Sequence, residues 1–165
     1  MHSVLIVGSG GREYAMAQRF SADKMVSMVV VVPGNPKMNT LGKCTTLSGD
    51  VVEIALQHSI DLVIVGPEKP LVEGLADRLR AKQIPVVGPS QKASMLECSK
   101  IFSKQFMLKM GIPTAQSEWF DDVDAAMVGL QNWKSTDGVV VKSDTLAGGK
   151  GVVVCDTLEE ASTIV

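Results

Sequence analysis

Cysteine, excess positive charge and long apolar runs are all scarce in this chain, and each scarcity excludes something. Cys44, Cys98 and Cys155 are odd in number, widely separated and free of any Cys-x-x-Cys spacing, so neither a disulfide framework nor a zinc site is suggested. They read instead as small buried or half-buried hydrophobes. Sixteen Lys and Arg against 18 Asp and Glu give a formal net charge of −2, which leaves no basic surface suited to nucleic acid. The longest apolar stretch, Met25 to Pro33, is far below the roughly 20 residues needed to span a bilayer, so no membrane partner is expected. The start Met-His-Ser-Val-Leu-Ile lacks a cationic signal region, and a cytoplasmic location is expected. His2 and His58 have no nearby acid in sequence that suggests a catalytic pair, no Ser-His-Asp or Cys-His arrangement is visible, and no cluster of paired acids suggests a metal site. No catalytic side chain and no metal ligand is therefore assigned.

What remains is a chain of 165 residues with 45% apolar content, enough for a real core yet short for two full domains. Apolar runs of strand length (Val4–Val7, Val26–Val32, Leu62–Val65 and Pro85–Val87) alternate with helix-period segments at Arg12–Phe20, Val51–His58 and Leu71–Lys82. Near-continuous apolar strands separated by helices predict an α/β fold with a Rossmann-like parallel sheet covered on both faces. Ligands of such sheets sit at the carboxyl ends of the strands. Here those ends carry Gly8-Ser9-Gly10-Gly11-Arg12-Glu13, Pro33-Gly34-Asn35-Pro36, Gly66-Pro67-Glu68-Lys69-Pro70 and Gly88-Pro89-Ser90.

The first loop has two glycines of the dinucleotide fingerprint, but its third position is Glu13, and the second strand ends Val31-Val32-Pro33 without a ribose-binding acid. NAD is disfavoured. A glycine turn onto a helix amino terminus still suits a single phosphate, with Arg12 as a bidentate donor; a plain tight turn with Arg12 solvated gives the same residues. Glu68, in a loop stiffened by prolines on both sides, could accept from sugar hydroxyls or hold an amine, or could simply favour the dipole of the helix that follows.

Beyond residue 90 the texture changes. Lys92 to Met110 reads as helices carrying Lys100 and Lys104, Gly111-Ile112-Pro113-Thr114 breaks them, and a strand near Ala115–Trp119 and a helix over Asp122–Trp133 are expected. Two valine runs, 139–141 and 152–154, then flank a turn holding Gly148, Gly149, Lys150 and Gly151, with Lys142 at its start. Glycine amides beside lysines form an anion-binding concavity, although a flexible hairpin without a ligand has the same composition. It is not a P-loop, which needs Gly at 144 and Ser or Thr at 151 where this chain has Asp144 and Gly151. Thr157-Leu158-Glu159-Glu160 has the spacing of a capping box. With two clear strands and a third in part, this second domain is expected to be incomplete.

These segments occur in a specific order: Val-Leu-Ile-Val-Gly-Ser-Gly-Gly-Arg-Glu at 4–13, Pro-Gly-Asn at 33–35, Asp-Leu-Val-Ile-Val-Gly-Pro-Glu-Lys-Pro-Leu-Val at 61–72, Val-Gly-Pro-Ser at 87–90, Ser-Lys-Ile-Phe-Ser-Lys at 99–104, Gly-Ile-Pro-Thr-Ala at 111–115 and Val-Val-Lys-Ser-Asp-Thr-Leu-Ala-Gly-Gly-Lys-Gly at 140–151. In that order they closely resemble the glycinamide ribonucleotide synthetase (phosphoribosylamine–glycine ligase) family, over the whole chain but only the first two fifths or so of the family. The resemblance implies a pre-ATP-grasp domain over 1–100 and the beginning of an ATP-grasp domain over 101–165. It also implies a role in purine biosynthesis: ATP phosphorylates glycine, and the amine of 5-phosphoribosylamine attacks the glycyl phosphate, with Mg2+ present. Carried over by position, Gly10, Gly11, Arg12, Glu13, Gly34, Asn35 and Glu68 would belong to the phosphoribosylamine site. Lys100 and Lys142 would contact ATP, with Gly148, Gly149, Lys150 and Gly151 over its phosphates. Metal ligands would lie past residue 165, the 165 residues alone would not catalyse the ligation, and a full-length chain would be a monomer. The chain departs from the family pattern at Tyr14 for His, Pro36-Lys37 for Ala-Gly, Cys98 for Gly, Thr145 for Gly and Gly148 for Ala. A shortened non-catalytic relative that binds a phosphoribosyl ligand or a partner, and a related ATP-grasp enzyme acting on another amine or carboxylate, stay open as alternatives.

Overall fold

The β-branched run at the N-terminus forms β1 (His2–Gly8), the central strand of a five-stranded sheet. Around it lie β2 (Val26–Pro33), β3 (Cys44–Thr46), β4 (Leu62–Val65) and β5 (Val86–Val87), in the order β3-β2-β1-β4-β5 with every pairing parallel. A computed structural model describes residues 1–134, 138–145 and 150–165, and the chain divides into units at Met1–Ser94 and Met95–Val165. The sheet belongs to the first.

Both faces of this sheet are buried, as the near-continuous apolar runs require. Leu5, Val7, Val30, Val32, Val63 and Val65 point to one side, against α2 (Val51–Gln57), α3 (Glu68–Val72) and α4 (Leu75–Ala81). Val4, Ile6, Val29 and Val31 point to the other, against Ala17 of α1 (Gly11–Ala22) and Met38 of a 3-10 turn, Pro36–Thr40. Leu5, Ile6, Val29, Val31 and Val63 are fully buried, each worth about 1.5–3 kcal/mol relative to exposure. α2 starts at Asp50, whose carboxylate accepts from the amides of Val52 and Glu53, and Arg78 of α4 binds the same carboxylate at 2.7 Å.

Two local expectations are corrected, and one strand is added. The helix expected over Leu71–Lys82 is two helices, because Gly74 adopts φ 84° and its carbonyl accepts from Asp77 and Arg78, restarting the chain in a new direction. No strand forms at 115–119: Lys104 binds the Thr114 hydroxyl and the Ala115 carbonyl, both at 2.7 Å, holding this stretch as an irregular connection. The short β3 had no counterpart among the expected strands. It is polar, and Asn39 fixes it by accepting from the Thr46 amide and donating to its hydroxyl.

The helix α5 (Gln91–Cys98) precedes α6 (Lys100–Lys109), α7 (Val123–Asn132), the antiparallel hairpin of β6 (Val139–Lys142) and β7 (Val152–Cys155), and α8 (Leu158–Ser162). Apolar burial after residue 94 is thin: Cys155 and Ala161 are buried, whereas Val140, Val152 and Val154 face outward. Thr157 caps α8 as its spacing predicts, but Glu160 reaches back to the amide of Asp156 rather than to that of Thr157.

Candidate functional site

In the first unit the carboxyl ends of β1, β2 and β4 converge, and side chains stitch the three loops together. Glu13, in the first turn of α1, is buried with its carboxylate turned inward; Oε2 accepts from the Gly10 amide at 2.7 Å. A Cβ on Gly8 would lie 2.7 Å from the Glu13 side chain, and one on Gly66 would overlap its Oε1. A side chain at either place would have to displace the buried Glu13 side chain. Glu13 builds the loops from beneath, and its oxygens do not face the open rim.

Arg12 lies on top. Its Nη1 donates to the Gly66 carbonyl, and its Nη2 stands 3.6 Å from Oε1 of Glu68, which opens α3. The Arg12 side chain is 64% exposed and that of Glu68 40%, so the pair is worth little for stability and leaves hydrogen-bonding capacity for a ligand. From the other side, the Gly34 amide donates to the Gly8 carbonyl at 3.1 Å, and Asn35 donates from Nδ2 to Ser9 at 2.8 Å. Oδ1 of Asn35 is used locally, accepting from the Lys37 amide. The structure thus brings Gly10, Gly11, Arg12, Gly34, Asn35 and Glu68 together on one rim. The Gly10 amide is spent on Glu13, no side chain caps α1, and a Cβ on Gly11 would meet nothing within 4 Å. The first turn of α1 opens on free space, where its amides and dipole favour an anion. The fourth loop begins at Gly88, close to Val65 at the end of β4 and to Leu71 of α3, and the Gly88 carbonyl accepts from Arg80 of α4.

In the second unit, Lys100, Lys104, Lys142 and Lys150 line a cleft of about 1030 Å³ together with Trp119 and Trp133. Of the glycine-rich turn, Lys150 and Gly151 belong to the described residues, and Gly148 and Gly149 lie outside them. Lys142 ends β6 opposite Val152. Lys100 is tied to the hairpin, its Nζ donating to the carbonyls of Ser143 (2.7 Å) and Thr145 (3.1 Å). Asp144, between them, accepts from the amides of Lys100 and Ile101 and from the Ser99 hydroxyl. Partial burial pushes the Asp144 carboxyl up, but the bonds from Ile101, Ser99 and Lys100, with the Lys100 charge, outweigh it and hold the group below the usual carboxylate range. Asp144 is the residue that sequence reasoning missed, since its partners are 43 to 45 positions away. Thr145 needs no left-handed backbone here: among the described residues, the non-glycine positive φ angles are those of Ser59 and Gln83.

A divalent cation has no ligand set among the described residues: no three His, Cys, Asp or Glu side chains converge, and the Asp144 oxygens are occupied. None of the described helices is long and apolar enough to cross a membrane.

Comparison with known proteins places this geometry. Residues 2–97 match the family model of the phosphoribosylglycinamide synthetase N domain, and residues 98–165 match that of the phosphoribosylglycinamide synthetase ATP-grasp (A) domain. Phosphoribosylamine–glycine ligase of Pseudomonas putida is 41% identical over 167 residues, covering 98% of this chain, and that of Xanthomonas axonopodis pv. citri is 42% identical over 168 residues, again covering 98%. The chain spans 38% of the length of either relative. The crystal structure of the Thermotoga maritima ligase superposes with a TM-score of 0.74 at 29% identity, over 98% of this chain and 38% of that one. With a five-stranded parallel sheet, an ATP-grasp-type hairpin unit and family matches that together run from residue 2 to 165, the chain belongs to the phosphoribosylglycinamide synthetase family.

Proposed function

We propose that this chain supplies the phosphoribosylamine-binding face, and the first part of the ATP-binding face, of a ligase that joins glycine to 5-phosphoribosylamine in purine biosynthesis. In that reaction the γ-phosphoryl group of ATP passes to the glycine carboxylate, leaving ADP. The amine nitrogen of 5-phosphoribosylamine attacks the acyl carbon of glycyl phosphate, inorganic phosphate leaves with the bonding pair, and the nitrogen loses a proton. The observation that carries the reading is the family match over both units. The uncapped start of α1, with Arg12, Asn35 and Glu68 around it, has the donors and the acceptor that a phosphorylated sugar amine requires.

On this reading Gly11, Arg12, Gly34, Asn35 and Glu68 contact the sugar phosphate, and Gly10 and Glu13 shape the loop that presents them. Lys142 and Lys150 neutralise the nucleotide phosphates, Gly151 and, outside the described residues, Gly148 and Gly149 belong to the turn over them, and Lys100 lies at the edge of the same cleft. Such a reaction needs positioning and charge compensation more than a covalent protein group. ATP is the expected nucleotide; when bound elsewhere in the polypeptide, Mg2+ would screen its phosphates.

A chimera tests this. The chain is fused to the part of the Pseudomonas putida ligase that follows the matched region, and glycine-dependent ADP release is measured with 5-phosphoribosylamine generated in situ. Turnover that depends on both substrates is expected. A folded chimera that turns over with another amine or carboxylate and ignores glycine would overturn the proposal.

A further inference from the structure

Three cations lie on the rim loops of the first unit, and two are committed. Arg12 is bonded to the Gly66 carbonyl and paired with Glu68, and Lys69 stands 3.7 Å from Glu73 one helical turn on. Lys37, the third, forms no ion pair among the described residues. Its ammonium lies over the ring of Tyr14, 5.5 Å from the centroid. A cation–π contact orients an ammonium without neutralising it.

The post it rests on is firm. Tyr14 sits on the first turn of α1, its ring half-buried against the cluster that includes Met38. The bonds from Asn35 to Ser9 and from Gly34 to Gly8 tie the loop carrying Lys37 to the loop that opens α1. A positive charge without an ion-pair partner among the described residues is therefore held over the first turn of α1, which no side chain caps and where a Cβ on Gly11 would meet open space.

We infer that Lys37, steered by Tyr14, is a specificity-determining residue of the rim site, the cation that selects the phosphate group of a sugar phosphate. This deepens the phosphoribosyl reading above and rests on it. Arg12 and Glu68 then act on the sugar and its amine, and Lys37 with the α1 amides acts on the phosphate dianion, so the two ends of the ligand are read by different loops.

The test is calorimetric titration of the 165-residue chain with ribose 5-phosphate at two ionic strengths, using wild type, Lys37→Gln, Lys37→Arg and Tyr14→Leu. Lys37→Gln is expected to weaken binding about tenfold and to flatten its salt dependence. Lys37→Arg, which can also lie on an aromatic face, restores most of the affinity, and Tyr14→Leu loses about threefold. Wild-type binding that Lys37→Gln leaves unchanged would overturn this inference and leave the rim site standing. A loss that Lys37→Arg does not restore, with unaltered salt dependence, marks a structural role and overturns it too. If wild type shows no saturable binding of ribose 5-phosphate, the rim reading falls and the inference falls with it.

Discussion

Asp144 and Lys100 hold each other's backbone: the carboxylate accepts from the Lys100 amide, and the Lys100 ammonium donates to the carbonyls on either side of Asp144. The carboxylate also takes the Ile101 amide and the Ser99 hydroxyl, so it occupies the amino-terminal end of α6 where an anion is favoured. Ser99 caps the same first turn, its hydroxyl oxygen accepting from the Phe102 amide. The reciprocal clasp fixes the start of the glycine-rich turn against a helix while Lys142, two residues earlier, stays in the cleft.

Replacing Asp144 with Ala should cost about 1 kcal/mol of stability, the usual worth of a capping carboxylate, because the group is exposed and its charge is screened. Asp144→Asn, which keeps an acceptor but loses the charge, should fall between. Amide exchange offers the sharper measurement: the Ile101 and Lys100 amides should lose protection in Asp144→Ala while those of β1 do not change. Equal effects on both would show that the clasp is not local.

Acid should weaken the protein below about pH 5 and not above it. Asp50 is held below the usual carboxylate range chiefly by its bond from Arg78, Asp61 chiefly by the Ser3 amide, and Asp144 by the bonds that overcome its burial. A carboxyl whose pKa is lower folded than unfolded stabilises the fold while ionised. That contribution is complete above the unfolded value of about 3.9 and is lost as pH falls through the folded value. Urea midpoints should therefore be flat from about pH 8 to 5 and then drop, with a smaller drop in Asp50→Asn. A midpoint already falling between pH 7 and 6 would point to a different titrating group.

The two units should respond differently to truncation of apolar side chains. Leu5→Ala removes a fully buried side chain between β2 and β4 and should cost about 2–5 kcal/mol. Val154→Ala removes one that is 70% exposed and should change stability by less than about 0.5 kcal/mol. Denaturant unfolding of the two variants checks the contrast.

Much of this was legible in the residues, for reasons that also explain the failures. The strands of the first unit are uninterrupted β-branched runs, and a sheet buried on both faces has no other use for such segments. β3 carries little apolar signal at Thr45 and Thr46, and Thr46 is fixed by Asn39, a partner known only once the chain has turned. The break at Gly74 was invisible because the apolar spacing continues from Leu71 and Val72 to Leu75 and Leu79 across it. Among the candidate site residues, Arg12 and Glu68 meet as the glycine and proline loops suggested. The family resemblance implies a ligand role for Glu13, yet its position, three after Gly10 at the start of α1, is one from which a glutamate turns back to the amide behind it. That pattern was available in the sequence; the contact with Gly66 was not.

Glu13 and Gly66 should therefore behave as one unit. Gly66→Ala places a methyl group against the Glu13 carboxylate, with little room to move because Glu13 is buried and bonded to Gly10. The cost should be about 1–3 kcal/mol, the usual range for overpacking. Glu13→Ala alone should cost a similar amount, since the Gly10 amide loses its partner. If the two effects arise from the same space, the double variant will be more stable than the sum of the singles implies, with a coupling energy of about 1 kcal/mol or more. Glu13→Gln, which fills the space and can keep an acceptor for Gly10, should leave Gly66→Ala as costly as before. Additive single effects, measured by urea unfolding of all four proteins, would show that Gly66 is glycine for some reason other than the side chain beneath it.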